Sequence, residues 1–352
     1  LDDPTCTITL TTEETSYEIQ LGDYSEMDAQ RYVSTGDGNV YLAASDPLGS
    51  FSITLRDLIK NDEVPGFGQV TELTFSGAEE YSIYYAEDST ASYSDDDRYF
   101  TQRGGTTVPM DTAGVESYID SISYVELNNY VTYNADDKDL QTYGLDDPEL
   151  TVSVDYSYET TDGEEVSDTF VLQISRDPQE RSSAAEEEDA EITAYARVAD
   201  SSIIYQLSSD DYTALMAASY DELRHQEVFW GDFEEIEQID ISLEGETYTI
   251  TAQGKGDNRT YLYQEEEVEF TDFQSAVEAL QADVFTDEEP TQQEEISLTI
   301  HLNNENFPTV QIALYRYDGT NCLAVVDGEP VSLVPRSEVV DLTEAVRAIV
   351  LN

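Results

Sequence analysis

Apolar and polar residues alternate through Thr7-Ile8-Thr9-Leu10, Tyr17-Glu18-Ile19-Gln20-Leu21, Arg31-Tyr32-Val33 and Val40-Tyr41-Leu42. A period of two marks strands with one face turned to a core. Asp37-Gly38, between the last two, is a hairpin turn signal. The period then changes: Phe51, Leu55, Leu58 and Ile59 recur at helical spacing, which predicts one helix. The opening segment therefore reads as a four-stranded meander followed by a helix.

That order returns. Val152 and Val154, then Phe170–Ile174, Tyr195–Val198 and Ile203–Leu207 predict four strands, and Tyr212, Leu215, Met216 and Leu223 supply a helix stripe. A third round runs through Ile296–Ile300, Val310–Leu314, Leu323–Val326 and Val331–Val334, with Asp327-Gly328 as its hairpin turn and Val339, Leu342, Val346 and Ile349 as its helix. Between these rounds a second pattern occurs twice. Val70-x-x-Leu73-x-Phe75 with Tyr81-x-Ile83 matches Ile236-x-x-Ile239-x-Ile241 with Tyr248-x-Ile250. Each copy ends in a helix, one carrying Val115, Tyr118, Ile119 and Ile122, the other Phe273, Val277 and Leu280. Asp111 is the N-cap expected for the first, and Thr271 with Gln274 reads as a capping box for the second.

The predicted order is thus A-B-A-B-A, with unit A1 at 1–66, B1 at 67–142, A2 at 143–229, B2 at 230–290 and A3 at 291–352. The fold class is α+β: tandem repeats of small antiparallel meanders, each with one packed helix. A small sheet with one helix leaves much apolar surface wet. Stacking of neighbouring units in an elongated arrangement is the expected remedy. Ser175–Glu191 is nearly devoid of apolar residues and crowded with like charges, and is expected to be a mobile insertion.

Two of the A units open on the same phrase. Leu1-Asp2-Asp3-Pro4 is repeated as Leu145-Asp146-Asp147-Pro148, 145 − 1 = 144 residues later. The third has the divergent start Asp287-Glu288-Glu289-Pro290. Paired Asp side chains at two equivalent places could serve as repeated binding sites; the simpler reading is structural, with Asp capping backbone and Pro fixing a rigid lead into the strand. Tyr143-Gly144-Leu145-Asp146-Asp147-Pro148, the alternating Val152 and Val154, and the later "VYL" and "IYQL" strands, each followed by a helix, resemble a bacterial family known as domain of unknown function 4340. The likeness covers most of the chain as tandem copies. It implies an extracytoplasmic protein of the cell envelope with an N-terminal membrane anchor, in some members encoded beside transporter components. It supplies no catalytic residues.

Charge narrows the partners. Seventy-seven acidic residues against 15 basic ones give a net charge of −62. Such a field repels nucleic-acid phosphates and anionic lipid headgroups, so neither nucleic acid nor direct membrane-surface binding is expected. Lys60, Lys138 and Lys255 are the only lysines. An acidic, lysine-poor surface suits high salt, and equally an envelope protein kept soluble by self-repulsion. No run of 18 apolar residues exists to span a bilayer. Residue 1 is Leu rather than Met, so any anchor is expected outside these residues. Cys6 and Cys322, in strand-like segments near opposite ends, are expected to be buried inert thiols rather than a disulfide.

Candidate chemistry is sparse. No Gly-x-Ser-x-Gly, GxxxxGK[ST] or HExxH motif occurs. His225 and His301 are the only histidines; the first reads as a cation at a helix end. The acidic runs Asp95–Asp97, Asp136-Asp137 with Asp139, Asp146-Asp147 and Glu186–Asp189 lack the spacing of a calcium loop, so they read as solvated surface with at most weak divalent-cation binding. No cofactor is expected. Phe67 and Trp230 occupy equivalent linker positions after A-unit helices and are the candidate partner surface, the alternative being that Trp230 is wedged between units. Two function classes stand: a non-enzymatic scaffold or partner-binding protein serving envelope or transporter proteins, and a surface module binding carbohydrate or a divalent cation.

Overall fold

A computed structural model describes residues 1–51, 53–87, 90–182 and 192–351. The chain falls into two compact units, Leu1–Asp62 and Glu63–Asn352.

The first unit is an antiparallel meander of β1 (Cys6–Thr11), β2 (Ser16–Ser25), β3 (Gln30–Ser34) and β4 (Tyr41–Ala43), paired in chain order. Cross-strand pairs Ile8↔Ile19 and Leu10↔Tyr17 put the alternating apolar residues on one face, as the pattern requires. The single helix expected through Phe51, Leu55, Leu58 and Ile59 is instead two four-residue helices, α1 (Leu48–Phe51) and α2 (Leu55–Leu58). Thr54 is extended, and its backbone N–H and hydroxyl both donate to the Asp57 carboxylate at 2.7 Å, so the helix restarts there. The stripe stays wet, with Leu58 66% exposed. Among the described residues of this unit, Leu21 is the only buried hydrophobic one. The best-enclosed polar group is Arg31, which holds Asp46 at 2.7 Å and donates to the Gly22 carbonyl at 2.7 Å.

The second unit contains two nine-stranded sheets. The first is built from β5 (Gln69–Gly77), β6 (Tyr81–Tyr85), β7 (Tyr99–Arg103), β8 (Thr106–Pro109), β9 (Tyr130–Thr132), β10 (Leu150–Glu159), β11 (Glu165–Arg176), β12 (Ala194–Val198) and β13 (Ile204–Leu207), in spatial order β8-β7-β6-β5-β10-β11-β12-β13-β9. The second uses β14 (Ile236–Leu243), β15 (Glu246–Gln253), β16 (Thr260–Tyr263), β17 (Glu266–Val268), β18 (Val284–Phe285), β19 (Glu294–Leu302), β20 (Thr309–Arg316), β21 (Asn321–Val326) and β22 (Glu329–Pro335), in order β17-β16-β15-β14-β19-β20-β21-β22-β18. The two orders are the same when each strand is counted from the start of its own sheet. The structure is therefore α+β, with open antiparallel sheets and helices on their faces.

Each B segment is joined edge to edge to the A segment that follows it. β5 pairs with β10 through Leu73↔Val154 and Phe75↔Val152, and β14 pairs with β19 through Ile239↔Ile300 and Ile241↔Leu298. Each sheet thus runs straight across the 142/143 or 290/291 boundary. The physical gain is double: β10 and β19, the first strands of the second and third A segments, lose their open edge, and the B helix comes to lie over A-segment side chains. Directly paired residues share a face, so α3 (Thr112–Ser123), whose Tyr118 ring contacts Phe75, covers the side that carries Val152. Asp111 caps α3 as expected, accepting from the Ala113 N–H. α4 (Asp137–Thr142) follows; then, after β11, α5 (Pro178–Ser182), and after β13, α6 (Ser209–Met216) and α7 (Tyr220–Leu223). The Tyr118 hydroxyl ties α3 to α6 by donating to the Leu215 carbonyl at 2.9 Å. In the second sheet α8 (Thr271–Glu278) and α9 (Arg336–Val350) share one core with Ile241, Leu298 and Ile312.

The capping box expected at Thr271 and Gln274 does not form. Phe270 is buried, in helical conformation and stacked on Tyr261 at 3.6 Å, so the helix begins one residue early and Gln274 donates to Glu278 instead. At Ser175–Glu191, β11 and α5 account for the start, and residues 183–191 lie outside the described ones. The Asp327-Gly328 hairpin forms as predicted, both residues having positive φ.

Candidate binding cleft

Asp97 is the anchor of the site. It ends the acidic run in the β6–β7 loop, yet its side chain is only 2% exposed. A carboxylate buried so far must have its lone pairs satisfied. The Ser92 hydroxyl donates to Oδ2 at 2.5 Å, the Trp230 Nε1–H donates to the same oxygen at 3.2 Å, and His225 Nε2 lies 2.9 Å from Oδ1. A carboxylate only accepts, so Nε2 carries the proton. Residues 225–230 lie on the linker between the two large sheets, and Asp97 ties that linker to the first.

Aromatic rings complete the structure around it. His225 stacks on Trp230 at 4.4 Å, Tyr93 lies 4.6 Å from Trp230 on a tilt, and Tyr93 stacks on Phe229 at 5.5 Å. Beside the rings opens a cleft of about 520 Å³. Val108 and Pro109 of β8, Phe307 of the β19–β20 loop, Val326 of β21 and Val331 of β22 make its walls largely apolar. Arg224 stands at the rim with its guanidinium 4.1 Å from the Phe285 ring centre. Tyr93 is half-buried as a residue, but its hydroxyl is fully enclosed and makes no hydrogen bond. Burial drives its pKa far above the ordinary tyrosine value, and the nearby Trp230 backbone N–H offsets that only in part. The hydroxyl therefore stays a neutral donor.

Ser92 and His225 both bond Asp97, so the serine proton points at the carboxylate and no nucleophile–base pair is formed between serine and imidazole. Among the described residues, no group of three or more His, Cys, Asp or Glu side chains is placed to hold a metal ion.

Of the two linker aromatics, Trp230 lines the cleft and Phe67 does not. Phe67 packs on Tyr156 at 5.0 Å and Phe170 at 5.9 Å. Two ring partners leave Trp230 little free face, so it forms a wall as well as a wedge. The Leu-Asp-Asp-Pro phrases take no part in the cleft. Leu145 is buried beside Tyr195 and Ile204, whereas Leu1 is exposed. Gly144, at φ +71°, and Leu145 return hydrogen bonds to Gln141 and Leu140, the Schellman stop of α4. Asp2, Asp3, Asp146 and Asp147 are exposed, while Pro4 and Pro148 are half-buried. Asp136 and Asp139 form the capping box of α4. His301 sits in β19, 2.9 Å from Asp240 of the adjacent β14. Cys6 and Cys322 are both free thiols; Cys322 is buried as expected, but Cys6, on the edge strand β1, is partly exposed. Ser92, Tyr93 and Asp97 were not legible as site residues. Their one signal was an Asp run that composition alone explained, and nothing in the sequence links it to a histidine 128 residues on.

Fold and cleft together define an α+β protein of open antiparallel sheets with an aromatic, largely apolar cleft. The chain belongs to the family described as Domain of unknown function (DUF4340), whose profile matches residues 102–299, from β7 through most of β19. No curated protein and no solved structure matches the chain.

Proposed function

We propose that this is a non-enzymatic binding protein working on the extracytoplasmic side of a membrane, and that the cleft beside Trp230 receives an uncharged, largely apolar group bearing one hydrogen-bond acceptor. The observation that carries this reading is the enclosed Tyr93 hydroxyl without a partner at an apolar cleft. A buried donor left unsatisfied costs about 1–3 kcal/mol, which a carbonyl or ether would recover once a shift of the ring opens the enclosed hydroxyl to the cleft. The net charge of −62 disfavours anionic ligands. The envelope setting, the anchor, the tandem family copies and service to a transporter rest on the family's character and belong to the same proposal. Carbohydrate is the lesser reading, because the Trp230 faces that would stack on a sugar are occupied by His225 and Tyr93; the divalent-cation reading has no ligand cluster behind it among the described residues.

Trp230 is the sole tryptophan, so its emission reports the site alone. Titration with acetophenone and acetanilide, each an apolar ring with a carbonyl, is expected to shift that emission saturably. Tyr93→Phe should weaken binding about fivefold, the equivalent of about 1 kcal/mol. Emission indifferent to both compounds sinks the reading.

A further inference from the structure

The A segment of the first unit has the strands of its two counterparts but neither of the things that a B segment provides to them. Twice in this chain the first A strand is flanked on its outer side by a B strand, β10 by β5 and β19 by β14. Twice a B helix lies over the apolar face so formed, and that face is dry: Val152, Val154, Leu172, Leu298, Ile300 and Ile312 are all buried. β1 aligns with β10 through the shared Leu-Asp-Asp-Pro phrase, Ile8 standing for Val152 and Leu10 for Val154. Yet among the described residues β1 is an edge strand with β2 as its one neighbour, and Leu10 is 56% exposed, with Tyr17, Tyr41, Phe51 and Leu55 also exposed.

The backbone of β1 is set for a second neighbour. The turn closing the β1–β2 hairpin has the Thr12 N–H donating to the Thr15 carbonyl at 2.8 Å. Bonded and non-bonded pairs alternate outward from there in an antiparallel ladder, so Cys6, Ile8 and Leu10 bond β2. The N–H and C=O groups of Thr7, Thr9 and Thr11 therefore point to the open edge. β1 carries no charge, no proline and no bulge, the devices that blunt an edge.

We infer that the open edge of β1 and the exposed face beside it form a docking site for a B-type half-sheet: an antiparallel meander whose first strand reads Val/Ile-x-x-Leu/Ile-x-Phe/Ile and whose helix is amphipathic. The partner strand completes the β1 ladder as β5 and β14 complete theirs, and its helix covers Ile8, Leu10 and Tyr17. This is independent of the cleft beside Trp230.

The test supplies such a half-sheet to the whole chain. A second copy of residues 67–144 is fused ahead of Leu1, so that its glycine leads into Leu1 as Gly144 leads into Leu145. Amide exchange is then read at Thr7, Thr9 and Thr11. All three should slow about a hundredfold relative to the unfused chain. Thr9→Pro, which removes an outward donor and leaves the β1–β2 ladder alone, should abolish the slowing. Unchanged exchange in the fused chain overturns the proposal. So does a dimer of the unfused chain by light scattering in which the same three amides are already protected, since that assigns the edge to a second copy.

Discussion

Asp97 shows how much one residue can organise. Its carboxylate joins a loop of the first large sheet to the linker leading into the second, through Ser92, Trp230 and His225. Asp97→Ala strands three donors in a buried place and is expected to cost about 3 kcal/mol. Denaturant unfolding checks the stability, and a red shift of Trp230 emission reports water entering. Cys322 makes a second case. Burial, with the nearby Glu295 carboxylate, pushes its thiol up to about 11, so at pH 8 it stays protonated and inert. Alkylation at pH 8 should therefore label partly exposed Cys6 and spare Cys322 until the protein unfolds. A third concerns Asp240. Burial pushes its carboxyl up, but hydrogen bonds from Thr249, His301 and Gln238 outweigh that, and the net pKa lies below the usual range. A depressed carboxyl stabilises the fold above its unfolded pKa, and that contribution is lost as pH falls through the folded one. Asp240→Asn should accordingly flatten the acid limb of the stability curve, measured by thermal melts between neutrality and about pH 2.

Among elements, the strands were the most legible. Alternation placed β10, β11, β19, β20 and β21 within a few residues of where they lie, because each alternating run is a local consequence of one dry and one wet face. Helix starts were less so: Thr54 interrupts one predicted helix, and Phe270 displaces another cap, each for a contact that the linear pattern does not contain. The edge joins could not be read at all, since they are made by backbone groups common to every residue. Gly77, where β5 meets the start of β10, is one place where the join shows in the sequence. Its φ is +109°, and a Cβ there would stand 2.5 Å from the Glu149 carbonyl oxygen. Gly77→Ala should cost more than about 1 kcal/mol, with faster amide exchange in both β5 and β10 as the signature.

At the scale of the molecule, the two compact units differ in what they bury. Leu1–Asp62 has Leu21 as its one buried hydrophobic residue among those described, whereas Glu63–Asn352 holds large continuous cores. Unfolding should show two transitions, the first confined to residues 1–62 by amide exchange. The net charge of −62 acts on both. Screening it with salt should raise the melting temperature, by about 5 °C or more between 0.05 and 0.5 M NaCl. A protein that stays folded at the lower concentration does not depend on high salt, and one that unfolds there does.

By itself the sequence determined the periodicities, the turns, the A and B patterns and the acidity, since each is written in residues close along the chain or in a simple sum over it. Tertiary structure alone decided that each B segment and the A segment after it become a single nine-stranded sheet, that Ser92, Tyr93, Asp97, His225 and Trp230 come together beside one cleft, and that among the described residues β1 has no outer neighbour. Those outcomes depend on backbone pairing and on contacts between residues more than a hundred positions apart. Neither leaves a local pattern, because the groups that make them are silent until the chain has closed on itself.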